Sequence, residues 1–306
     1  MSGSSRTIKL NNGMSCPIIG LGTTGMKNVE EVVYSSIKSG VRLIDTASMY
    51  KNEEGVGKGI KKAIDEGIVK REDLFIVTKC WLTEKEDPIK ALKGSLERLN
   101  LKYVDLYLDH WPSTKCYKEN EEFKLVGIKD MWPKMEQLVH DGLTKSIGIS
   151  NYNVQNISIL LSICKIKPVI NEVEFHPYLY QKDLKEFCDK EDIKIFAYYP
   201  LIKGPKEKNK FEKIMTEKKL DLLNEEIVLN LAKKYNKTPG QIILNWHINK
   251  GVIPIPGTSN PNRMKENLGS CDFNLSEEDI QSLSSFDDKQ FRFCSSITYI
   301  GIDVFA

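Results

Sequence analysis

The 306-residue chain is short of several features that would settle a function class early. No run of 18 consecutive apolar residues occurs, so a membrane-spanning helix is not expected. The opening Met1-Ser2-Gly3-Ser4-Ser5 lacks the apolar core of a secretory signal. The expectation is a cytoplasmic protein with no membrane partner. Charge of one sign is missing too: 44 basic side chains against 42 acidic ones leave a net charge of +2, which gives no footprint for nucleic acid. The basic stretch 203–219 holds a single aromatic, Phe211, and reads as a solvated loop. The four histidines show neither close ligand spacing nor a His-Glu-x-x-His pattern, so no metal is expected. Seven cysteines, an odd number with no CxxC pair, point to reduced thiols.

What is present is a hydrophobic content of 41%, enough for a large core, arranged with a regular beat. After a hairpin candidate with Asn11-Asn12-Gly13 as its turn, short apolar runs alternate with amphipathic stretches. Strands are expected at 18–21, 41–45, 74–79, 104–110, 146–149, 169–173, 194–198 and 252–253. Helices are expected over 29–39, 53–66, 88–99, up to 141, up to 163, over 182–190, and from 225 and 238. Eight strand-and-helix units suit a (β/α)8 barrel, an α/β fold of roughly 250 residues, as one domain over 1–306. A doubly wound sheet is the rival. Gly20-Leu21-Gly22-Thr23-Thr24-Gly25 fits GxGxxG with Asp45 downstream, but that reading leaves Tyr50, Lys79 and His110 without a role.

Those residues carry the chemistry. Asp45, Lys79 and His110 each stand where an apolar strand run gives out, and Tyr50 follows the first of them. In a parallel barrel, strand ends converge on one mouth. A tyrosine keeps its proton at neutral pH, and a nearby ammonium would lower its pKa and make it a usable acid. Asp45 can orient Lys79, and a neutral His110 can donate to a carbonyl oxygen. The set can polarise a carbonyl and deliver a proton, but it supplies no hydride, so a nicotinamide cofactor is needed. A plain ion pair for Asp45 and Lys79, and a packed core role for His110, remain open on these residues alone.

The chain resembles the aldo-keto reductases, in particular the aldose-reductase-like and xylose-reductase-like branch. The likeness rests on Gly20-Leu21-Gly22-Thr23, Leu43-Ile44-Asp45-Thr46-Ala47 with Tyr50-Lys51-Asn52-Glu53, Thr78-Lys79-Cys80-Trp81, Leu106-Tyr107-Leu108-Asp109-His110-Trp111-Pro112 and Gly148-Ile149-Ser150-Asn151-Tyr152. It implies a barrel with an N-terminal hairpin and an extended C-terminal loop, and NADPH-dependent reduction of small aldehydes or ketones, aldose sugars among them. Tyr50 would be the acid in a tetrad with Asp45, Lys79 and His110. It also implies cofactor contacts from Thr23, Thr24, Asp45, Ser150, Asn151, Glu172, Tyr198, Leu201, Thr258, Ser259, Arg263 and Asn267, with Arg263 facing a 2′-phosphate. The pocket wall would comprise Thr24, Met49, Trp81, His110, Trp111 and Cys294, the last either an oxidisable pocket-edge thiol or an inert packed one.

Three departures qualify this. Gly257 stands where many relatives place Lys, which leaves NADH as an alternative to NADPH. Glu172 stands where relatives often carry Gln, and a carboxylate cannot donate as an amide can. Thr24 replaces a frequent Trp, which should widen the pocket. A monomer is expected, with a dimer as the alternative. A Lys79 Schiff-base aldolase and a cofactor-binding sensor with little turnover are the rival functions.

Overall fold

The computed structural model describes residues 6–112, 115–116, 124–125, 127–202, 220–294 and 296; the basic stretch 203–219 lies outside them. The chain opens with an antiparallel hairpin, β1 (Thr7–Lys9) and β2 (Ser15–Pro17), turned at Gly13, whose φ of 82° favours glycine. Eight parallel strands follow: β3 (Leu21–Gly22), β4 (Leu43–Asp45), β5 (Phe75–Cys80), β6 (Leu106–Asp109), β9 (Ile147–Ser150), β10 (Ile170–Glu174), β11 (Lys194–Tyr198) and β12 (Val252–Pro254). Between β6 and β9 lies a small antiparallel pair, β7 (Lys115–Cys116) and β8 (Lys124–Leu125). The last strand is tied back to the first, with Gly20 N–H donating to Pro254 O at 3.0 Å and Gly22 N–H to Pro256 O at 3.3 Å. The sheet therefore closes, and the fold is the (β/α)8 barrel expected from the alternation. The doubly wound alternative is ruled out by that closure.

Helices wrap the ring: α1 (Val29–Lys38), α2 (Glu53–Asp65), α3 (Pro88–Leu99), α4 (Ile128–His140), α5 (Val154–Leu161), α6 (Lys182–Lys190), α7 (Glu226–Tyr235), α8 (Pro239–Asn249), α9 (Pro261–Leu268) and α10 (Glu277–Ser284). Several of their starts are written in the sequence. Asp87 caps α3 ahead of Pro88, and Thr238 and Gln241 form a reciprocal capping box on α8.

Strand periodicity positions the site. Leu43, Phe75, Val77, Leu106, Leu108, Ile170, Phe196 and Ile253 pack together inside the ring, and Leu10 and Cys16 of the hairpin join the same cluster. The alternate residues Ile44, Ile76, Tyr107 and Val173 face the helices in the larger outer core. With a period of two, the next inward residue on each strand is Asp45 after Leu43, Lys79 after Val77, His110 after Leu108, Glu172 after Ile170 and Tyr198 after Phe196. A dry apolar plug thus ends in one polar layer at the C-terminal mouth.

Candidate active site

Lys79 lies at the centre of that layer and is fully buried. Its Nζ donates to Asp45 Oδ1 at 2.6 Å, Asp45 Oδ2 at 2.7 Å, Thr46 O at 3.1 Å and Tyr50 Oη at 3.3 Å. Glu172 Oε1 stands 3.3 Å from the same nitrogen. Burial alone would push the lysine pKa down, but Asp45, Glu172 and Tyr50 together raise it above its ordinary value. Lys79 is therefore held as an ammonium.

Tyr50 differs from the sequence-based expectation. Lys79 does pull its phenol down, but burial, reinforced by the charges of Asp45 and Glu172, outweighs that pull and leaves the pKa above the ordinary value. His110 is neutral: burial lowers its pKa well below the usual value, and the cations of Lys79 and Lys85 push the same way. Its Nδ1 has no hydrogen-bond partner among the described residues. The His110 ring sits edge-on to Tyr50, with centroids 5.8 Å apart, and to Trp81, at 5.0 Å. Tyr50, Lys79, His110 and Asp45 thus form one cluster.

Ser150 and Asn151 follow β9 directly. Ser150 Oγ donates to Glu172 O at 2.9 Å; Asn151, with φ of 64°, donates from Nδ2 to His110 O at 3.0 Å and accepts at Oδ1 from the Tyr198 hydroxyl at 2.7 Å. The helix cap after this strand is Asn153, so Ser150 and Asn151 are not a routine cap. Glu172 is buried, and burial with the neighbouring Asp45 raises its carboxyl pKa to about 8, against the pull of Lys79. Its Oε2 has no hydrogen-bond partner among the described residues.

The remaining expected contacts spread outward. Thr23 is buried and donates to Asp45 O at 2.9 Å, whereas Thr24 is exposed. Leu201 is half-buried and packs on a cluster containing Ile19, Leu244 and Cys271. Thr258 and Asn267 share a small cleft against Gly20 and Leu21. Ser259 and Arg263 are exposed at the start of α9, where Asn260 caps the helix. Glu266 accepts from the Thr238 hydroxyl at 2.6 Å rather than pairing with Arg263. Trp111 and Cys294 pack with Leu82, Trp81, Tyr198 and Tyr199, while Met49 is 39% exposed. Burial raises the Cys294 thiol to about 12, which favours the packed, inert reading over a reactive one.

Sequence reading missed two supporting groups. Glu174 is fully buried and accepts the backbone N–H groups of Phe293 and Cys294, both at 2.6 Å, together with a 2.9 Å contact to His176 Nε2. Behind His110, buried Asp109 accepts from Lys85 at 2.8 Å and from the Tyr152 hydroxyl at 2.7 Å, and Lys85 also reaches Trp111 O. The signal for the first was available, since acidic residues at positions 172 and 174 of one strand share a face. The second joins residues 24 and 43 positions apart and had none.

An inward layer of this composition, with charged lysine, protonated tyrosine and neutral histidine, can polarise and protonate a carbonyl. The chain is 40% identical to aldose reductase B of Dictyostelium discoideum, over 100% of both chains. It is 38% identical to an NADH-dependent D-xylose reductase of Candida parapsilosis, covering 98% of each. The crystal structure of a Bombyx mori aldo-keto reductase in complex with NADP superposes with a TM-score of 0.87 at 33% identity, covering 98% of both chains. With the Aldo/keto reductase family model matching residues 18–288 as well, this oxidoreductase belongs to the aldo/keto reductase family.

Proposed function

We propose that the protein reduces small aldehydes or ketones, aldose sugars among them, to alcohols with a nicotinamide cofactor, preferring NADPH, and that Tyr50 is the proton donor. The observation that carries this is the convergence of Tyr50, Lys79, Asp45 and His110 on one mouth, with Lys79 Nζ 3.3 Å from the phenol oxygen. The raised pKa of Tyr50 keeps its proton in place until a carbonyl oxygen develops charge. Lys79 then stabilises the phenolate, and Asp45 holds Lys79 charged and aimed. Neutral His110 donates one N–H to the same oxygen and fixes its approach.

The residues fit a nicotinamide cofactor on their own chemistry. The buried, unpaired Oε2 of Glu172 lies in the polar layer beside Ser150 and Asn151, whose side chains suit a carboxamide. Tyr198, inward on the next strand, offers a flat face. The start of α9, with exposed Ser259 and Arg263, suits a phosphate. When bound, the cofactor supplies the hydride. An exposed guanidinium there favours NADPH, although a similar xylose reductase is named for NADH. The aldolase alternative is not favoured, because a Schiff base needs a neutral amine and Lys79 is gripped by both Asp45 oxygens.

The test is loss of cofactor absorbance with NADPH and with NADH across a panel of aldehydes, ketones and sugars, for the wild type and Tyr50→Phe. Turnover in the wild type, reduced about 10²- to 10⁴-fold in Tyr50→Phe with cofactor affinity kept, is the expected result. Tight cofactor binding with no turnover on any carbonyl would instead mark a sensing protein.

A further inference from the structure

Two carboxyl groups and one ammonium meet at the barrel mouth, and the second carboxyl has no task in the proton transfer. Lys79 is already committed to both oxygens of Asp45, at 2.6 and 2.7 Å. An ionised Glu172 would therefore add a negative charge beside a lysine that already has its counter-ion, and burial with Asp45 raises its pKa to about 8. The groups bearing on it are Lys79 from β5 and Asp45 from β4, with Tyr50 beyond Lys79. Its register neighbours on β9 and β11, Ser150 and Phe196, do not titrate. Burial thus favours the uncharged form of this carboxyl, and Asp45, whose own carboxyl burial also pushes up, opposes its ionisation.

The hydride donor must lie close to this group. Proton and hydride go to the oxygen and carbon of one carbonyl, about 1.2 Å apart, and the proton comes from Tyr50. Lys79 Nζ is 3.3 Å from both the Tyr50 hydroxyl and Glu172 Oε1. A ring handing a hydride to that carbon would be held at the same barrel mouth as Glu172, whose Oε2 is buried in the polar layer with no hydrogen-bond partner among the described residues. The two redox forms of a nicotinamide differ in charge: the reduced ring is neutral and the oxidised ring is a pyridinium cation.

We propose that Glu172 weighs the oxidised against the reduced cofactor, favouring neither strongly while it holds its proton and favouring the cationic oxidised form once it is a carboxylate. Glu172 is thus a positioning residue for charge, and its protonation sets how far the site leans toward carbonyl reduction or alcohol oxidation. The inference rests on the nicotinamide reading above. Linkage is reciprocal: if the carboxylate tightens the oxidised form, the oxidised form lowers the pKa of Glu172 by the corresponding amount and drives off its proton. Unit charges several ångströms apart in a partly screened site correspond to roughly a ten- to fiftyfold change in affinity.

The test is equilibrium binding, followed by quenching of tryptophan fluorescence, of NADPH and NADP⁺ from pH 6 to pH 9, with NADH and NAD⁺ alongside. Titration of a 2′-phosphate affects both redox forms alike and cancels in the ratio of their dissociation constants. The expected result is that the wild type gains affinity for the oxidised form relative to the reduced form by about tenfold or more as pH rises to about 8. Protons should be released on binding the oxidised form near pH 7.5, and the ratio should be flat in Glu172→Gln. A wild-type ratio that stays constant across the range overturns the inference while leaving the reductase reading intact, as does a shift reproduced in Glu172→Gln. Failure of every nicotinamide form to bind removes both. A constant wild-type ratio overturns the inference whether or not the variant folds.

Discussion

Lys79 has three protons to give and is approached by both oxygens of Asp45, by Thr46 O and by the Tyr50 hydroxyl, with a Glu172 oxygen 3.3 Å away. A buried cation so surrounded is held by its partners, and they in turn depend on it. Lys79→Met should leave Asp45 buried without its counter-ion, at a cost of about 3–5 kcal/mol, and should abolish the stabilisation of a Tyr50 phenolate. Asp45→Asn in the Lys79→Met background should recover part of that loss by removing the stranded charge. Urea unfolding of the two single variants and the double variant measures the coupling; additive losses would mean that the pair is not the unit described. The positions of Asp45 and Lys79 were legible in the sequence because each stands where an apolar strand run gives out. The net direction of the Tyr50 shift was not, since it is set by burial and by two carboxyl groups, one of them from a strand over a hundred residues away.

At the scale of elements, the strands and helices near the site were largely readable. The span of α3 follows from its Asp87 cap and Pro88, that of β11 from its Ile-Phe-Ala-Tyr run, and that of uncapped α6 from the apolar spacing of Leu184, Phe187 and Cys188. The first barrel strand was not: Ile18 and Ile19 look like strand, yet β3 is Leu21–Gly22, because its partners are β4 on one side and the far end of the chain on the other. The β7–β8 pair went unforeseen, being two residues per strand. The contact that fixes the C-terminal loop was equally hidden, since Glu174 reaches residues 119 and 120 positions later. That carboxylate pins the backbone of Phe293 and Cys294, and Cys294 packs on Trp111 at the candidate pocket wall. Glu174→Gln can accept only one of the two N–H groups with its carbonyl oxygen, and its NH₂ meets a donor at the other. The expected outcome is faster hydrogen exchange at the Phe293 and Cys294 amides and a stability loss of about 1–3 kcal/mol. KM for carbonyl substrates should rise more than kcat falls. Unchanged exchange at those amides would show that the loop is held by its apolar contacts instead.

For the whole molecule, the closed ring and its wrapping helices bury titratable groups that respond to acid. His247 on α8 is buried, with Nε2 2.9 Å from Phe175 O and Nδ1 2.7 Å from Ile243 O. Burial lowers its pKa to about 4, against the opposing pull of those two carbonyls. An unfolded histidine titrates near 6.5, so between these values the unfolded chain binds a proton that the folded chain refuses. The stability this group contributes is fully present above pH 6.5 and is lost as pH falls toward 4, by about 3 kcal/mol in all. Because Phe175 follows β10 and His247 lies on the helix before β12, the contact joins two turns of the barrel wall, and its loss should be felt in global unfolding. Buried carboxyls with raised pKa values, such as Asp109 and Glu172, act in the opposite sense and gain from acid. The wild-type curve alone therefore mixes the two, and the comparison with His247→Gln separates them. Urea unfolding of both proteins at intervals from pH 7.5 to 4.5 should show the variant less stable at neutral pH and converging on the wild type as acid is added. Curves that stay parallel over that interval would mean that His247 titrates in the fold as it does in the unfolded chain, and curves that separate as acid is added would mean that it carries its proton in the fold.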